Sequence, residues 1–165
     1  RFRHDGFLVQ LAVQDRSLWN QTRIREGIHL IERALPTGPV GPFQLQAAIA
    51  AIHAEAAHAE DTDWAQIETL YRMLRDLAPS SVVTLNHAVA VAMVDGPTAG
   101  LDMLGPLLQD RQMRRHHRLH AVRAHLLEMA GDGEAARESY LAAARLTTSF
   151  PQQRYLHTRA ARLEA

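Results

Sequence analysis

The tail of the chain repeats itself, and this restricts the available folds more than any short motif does. From Ala124, "AHLLEMAGDGEAARESYLAAARL" places Ala124, Leu127, Gly131, Ala136, Tyr140 and Ala143 at fixed offsets. From Ala88, "AVAVAMVDGPTAGLDMLGPLL" gives Ala88, Val91, Asp95, Gly100, Leu104 and Leu107 at the same offsets, a shift of 36 residues. A period of this size predicts one helical hairpin per unit. A single hairpin cannot bury its apolar face alone, so adjacent hairpins must share a core. On this reading Gly100 and Gly131 are small because a helix packs against them.

The offsets match the tetratricopeptide pattern, with small residues where two helices cross, a glycine at the turn and an aromatic on the second helix; that repeat is about 34 residues long. Upstream, Ile67, Tyr71, Leu74 and Pro79 match the second helix of a preceding unit. Composition agrees: hydrophobic residues are 47% of 165, aromatics only 5%, and alanine, the best helix former, is abundant.

The rest of the chain also reads as helices. Residues 1–14 are a linker or N-terminal arm, with Asp5-Gly6 allowing a short hairpin. Ile24, Ile28, Ile31 and Leu35 form one apolar stripe, with Asp15 or Ser17 as the cap and a Pro/Gly-rich stop at 36–42. A second helix, "FQLQAAIAAIHAEAAHA" (43–59), carries Leu45, Ala48, Ile49 and Ile52. A third starts near Asp63, whose spacing to Gln66 suits a capping box, with Thr62 as the alternative cap. Further helices fall near 81–94, 97–109, 114–130, 133–147 and 150–163. The fold class is therefore all-α: an arm (1–14), an N-terminal helical pair (15–60), and antiparallel hairpins stacked as a tetratricopeptide-like array (61–165) on which that pair packs.

Chemistry is sparse. His53 and His58 in "HAEAAHAEDTDW" lie five apart, about 140° around a helix, and do not share a face. The acids beside them suit a helix end and a helix start. "RQMRRHHRLH" (111–120) is the most basic stretch, and His116 and His120 share a face. With no interleaved aromatics, and with 18 Arg balanced by 18 acids, it reads as a solvated connection; direct nucleic-acid binding by this stretch is not expected. No P-loop or nucleophile motif appears, so we expect no catalytic residues, no metal and no cofactor. There is no Cys, no signal-peptide core and no membrane-length apolar run, and the first residue is Arg1. These features suggest a cytoplasmic piece of a longer protein.

A repeat array binds through the concave surface of its first helices. Here that candidate groove comprises Val82, Leu85, Val89 and Met93, then Arg118, Ala121, His125 and Met129. Its apolar part must be covered, and the N-terminal helices of this chain are the expected cover.

The strings "VQDRSLWN", "GPFQLQAAIAAIHAEA", "AEDTDWAQIETLYRMLRDLAPSSVVTLNHAVAVAM" and "GPTAGLDMLGPLL" together resemble one family. It is the long C-terminal extension of a group of bacterial extracytoplasmic-function RNA polymerase sigma factors. The resemblance implies a helical, tetratricopeptide-like regulatory domain, not an enzyme, standing in for a conventional anti-sigma partner. The implied partners are the sigma regions of the same polypeptide, RNA polymerase or a signalling protein. The matching strings mark Asp15, Arg16, Trp19, Asp61, Asp63 and Trp64 as the interaction or interdomain surface, although capping and packing account for the same residues. The competing expectation is a stand-alone scaffold that binds a peptide in its groove.

Overall fold

In the computed structural model, residues 14–163 are described, and all regular structure among them is helical. Eight α-helices follow in order: α1 Gln21–Ala34, α2 Pro42–Glu55, α3 Trp64–Leu77, α4 Ser81–Asp95, α5 Pro97–Gln109, α6 His117–Met129, α7 Gly133–Leu146 and α8 Phe150–Arg162. Each helix packs on its sequence neighbours, and short connections force antiparallel pairs. No helix among the described residues is long and apolar enough to cross a membrane. The hairpin expected at Asp5-Gly6 lies outside the described residues.

Local chemistry sets the starts. Asp63, Ser80 and Asp132 side chains accept from the Gln66, Val83 and Ala135 backbone N–H groups, filling orphan donors of the first turn. Pro42 and Pro97 open α2 and α5, where a missing N–H costs nothing. Two starts differ from the sequence reading. Asn20, not Asp15 or Ser17, caps α1, because Arg16–Leu18 forms a separate 3-10 turn capped by Asp15. α6 begins at His117, because Met113–Arg115 makes its own 3-10 turn and buries Met113. α2 also ends at Glu55, and the following residues form a turn at Ala59–Asp61.

The core is in three parts. Leu45, Ile49, Ile52, Ile67, Leu74 and Ala90 join α2, α3 and α4. Leu85, Ala88, Ala92, Leu104, Leu107 and Leu126 join α4, α5 and α6. Ala124, Tyr140, Ala143, Leu156 and Ala160 join α6, α7 and α8. By contrast, α1 buries no residue fully.

The two glycines read as packing residues have different roles. At Gly100 an added Cβ would sit 2.6 Å from both the Ala88 carbonyl oxygen and the Ala92 Cβ. Helices α4 and α5 therefore approach each other through backbone, and glycine alone fits. At Gly131 an added Cβ meets nothing within 4 Å, but φ is +83°. The packing explanation is wrong there: Gly131 is needed to leave α6 in a left-handed conformation.

Candidate functional site

Arg16 is the best-placed of the predicted surface residues. It is 7% exposed, and its Nη1 donates to the carbonyl oxygens of His53 (2.9 Å) and Ala56 (2.7 Å). These are among the carbonyls left without partners where α2 ends, and a cation suits that negative end of the helix dipole. The guanidinium also lies over the Trp19 ring, 5.2 Å from its centroid. His53 in turn meets Trp64 edge to face, with centroids 5.2 Å apart. One cluster thus joins the segment before α1, the end of α2 and the start of α3. Burial, followed by the Arg16 charge, pushes the His53 pKa down, so His53 is neutral at neutral pH.

The predicted acids divide differently. Asp15 caps its own turn through Ser17, and those hydrogen bonds lower its pKa. Asp61 accepts from the His58 N–H at 3.1 Å, and Asp63 caps α3 at 2.9 Å. Arg16, Trp19 and Trp64 are brought together through His53, while the three acids serve as local caps. A cleft of about 600 Å³ opens beside Arg16, lined by Gln14, Asp15 and the 54–60 connection. Among the described residues, no three His, Asp or Glu side chains converge to hold a metal.

The predicted apolar groove is not a single face. Leu85 is buried between α4, α5 and α6, Val89 is half-buried, and Val82 and Met93 are 45% and 41% exposed. The main partner of α4 on its Val83 and Ala90 side is α3, rather than the N-terminal pair α1 and α2 expected as the cover. Arg118 and His125 do line a concavity, but it lies farther along the chain. It is a cleft of about 300 Å³ between α6 and α8, with Tyr140 of α7 contributing to its wall.

Beside that cleft, Glu128 accepts a 2.6 Å hydrogen bond from the Tyr140 hydroxyl and one from Arg159, whose guanidinium lies 5.7 Å from the Tyr140 ring centroid. Burial alone would raise the Glu128 pKa; the hydrogen bonds from Arg159 and Tyr140 outweigh it and hold the carboxyl below its usual range. Burial and the bond to Glu128 push the Tyr140 phenol far above its ordinary value. A second polar cluster lies between α3 and α4. His87, 2% exposed, sits 3.1 Å from Glu68, which also binds Arg72. Sequence reasoning missed both clusters. The available signal was a lone His in the apolar run "VVTLNHAVAVAM", which requires a buried partner.

An uncharacterized protein of Rhizobium meliloti (strain 1021) is 41% identical to this chain over 156 residues. The match covers 94% of this chain and 36% of the relative, so the chain spans about a third of that protein's length. No family model matches the chain. No solved structure matches it either.

Proposed function

We propose that this chain is a regulatory, non-enzymatic protein-interaction domain of a bacterial sigma factor, acting in the cytoplasm through the joint around Arg16. One observation carries the reading. Two strings on which the sigma-factor resemblance rests, "VQDRSLWN" and the one that begins "AEDTDWAQ", lie 39 residues apart (Asn20 to Ala59), and Arg16 and Trp19 of the first and Trp64 of the second reach this joint. Arg16 clamps the α2 end, and His53 bridges to Trp64. The turn at Arg16–Leu18 is therefore tied directly to the helical body. A contact that pulls on this segment, or fills the adjacent cleft, changes how the upstream chain is held. In this reading α4–α5 and α6–α7 are two tetratricopeptide-like units. Their equivalent pairs Ala88/Ala124 and Gly100/Ala136 are all buried, which supports it.

Co-purification of the domain with the separated sigma regions and with RNA polymerase tests the proposal, alongside Arg16→Ala and Trp64→Ala in the full-length protein. Binding to either target, and altered transcription in the variants, is the expected result. If neither target binds and transcription is unchanged, the proposal fails. The second reading, a scaffold that binds a peptide, draws support from the α6–α8 cleft rather than from the α4 strip.

A further inference from the structure

The formal charge of zero hides a segregation along the chain. Residues 1–110 hold eight Arg against thirteen acidic residues, while residues 111–165 hold ten Arg against five. Both walls of the α6–α8 cleft belong to the basic part. Helix α8 carries three Arg and no acid, and Arg111, Arg114, Arg115 and Arg118 are all exposed near the start of α6. Arg118, on the cleft, makes no ion pair among the described residues. Glu128 is already held by Arg159 and Tyr140, so it does not neutralise the rim. Ala121, Val122 and Leu156 supply an apolar lining.

We propose that this cleft docks a linear segment of a partner protein, one carrying a single bulky apolar side chain flanked by Asp or Glu. About 300 Å³, with Ala121, Val122 and Leu156 beside Tyr140 and Tyr155, accommodates one such side chain, and it becomes an anchor once desolvated. Arg118 then meets a flanking carboxylate within the basic part of the chain, speeding encounter and fixing register. A long polyanion suits the surface less well. The acidic two thirds of the molecule would repel it, and the balanced total charge provides no long-range positive field. A short acidic segment touches only the basic end. The site is separate from the Arg16 joint and does not depend on the sigma-factor reading.

Selection of random displayed peptides on the wild-type protein tests this, with enriched sequences made as fluorescein-labelled peptides for anisotropy. The expected motif is one Leu, Phe, Trp or Tyr with adjacent Asp or Glu. Arg118→Glu is expected to weaken binding about tenfold or more, as is Ser in place of the apolar residue, the size of effect typical of an interface hot spot. Ala121→Trp, which fills the cleft, should abolish binding. Circular dichroism checks that both proteins fold, and the surface change Arg118→Glu keeps the test decisive if Ala121→Trp does not. Four results would each overturn the proposal. They are absence of an acidic motif, affinity indifferent to Arg118→Glu, a single-stranded oligonucleotide bound more tightly than any selected peptide, and concentration-dependent self-association lost in Arg118→Glu.

Discussion

Two regions of the molecule are held by different means. At the α4–α5 crossing, backbone meets backbone over Gly100, and every neighbour is buried. At the N-terminal joint, α1 buries no residue fully, and one arginine secures the segment before it through two carbonyls. Close packing responds to a single methylene, whereas a hydrogen-bonded clamp can open without disturbing the core. The contrast predicts a rigid hairpin scaffold and an N-terminal attachment that opens locally before it.

The largest way to break that contrast is to widen the crossing. Gly100→Val places methyl groups where 2.6 Å is available to a carbonyl oxygen and to Ala92. We expect a loss of about 3 kcal/mol, measured as a lower denaturation midpoint of the whole transition. Next comes Tyr140→Phe, which removes a charge-assisted bond to Glu128 while keeping the ring under Arg159. About 2 kcal/mol should be lost, again globally. If Gly100→Val leaves the midpoint unchanged, the crossing is not the rigid element.

Arg16→Met sharpens the other side. It leaves the His53 and Ala56 carbonyls without that donor, at a local cost of about 1–2 kcal/mol. Hydrogen exchange should speed up around residues 14–20 and 53–64, with α4–α7 unaffected. A global loss equal to that of Gly100→Val would erase the distinction. Gly131→Ala belongs with the scaffold but acts through the backbone: a positive φ of 83° with open space around it predicts about 1 kcal/mol of lost stability and no repacking.

The all-α class was legible in the sequence because repeat offsets and caps are local signals. Asp63 caps α3 as its spacing to Gln66 implies. The arginine clamp was not legible in that way. Arg16 bonds to backbone carbonyls 37 and 40 residues away, and carbonyls leave no trace in residue identity. Leu85 was misplaced because α4 is apolar all round, so a stripe along it does not say which neighbour it faces. The basic end was hidden by summing charge over the whole chain rather than by part. The Glu128–Arg159 pair spans 31 residues and two helices, beyond the reach of any periodicity.

The smallest expected effect is that of pH, and it divides along the same line. Burial lowers the pKa of His53, His117 and His125 below the ordinary histidine value of 6.5, with nearby Arg16 and Arg159 adding to it at His53 and His125. The folded state therefore binds fewer protons than the unfolded state just below that value. Stability is at its full histidine contribution above pH 6.5 and declines as pH falls from there through the folded values. Glu68 and Glu128 are lowered too, so their contribution disappears only at pH values below the ordinary glutamate value of 4.5. Two acid steps should thus appear in melting temperature against pH. His53→Gln removes its part of the upper step and leaves the lower one. In that upper step, exchange at residues 14–20 should rise before exchange in α6 and α7, because protonating His53 places a second cation beside Arg16. If α6 and α7 open first, His125 rather than the joint controls the acid response, and the N-terminal attachment is not the weaker end.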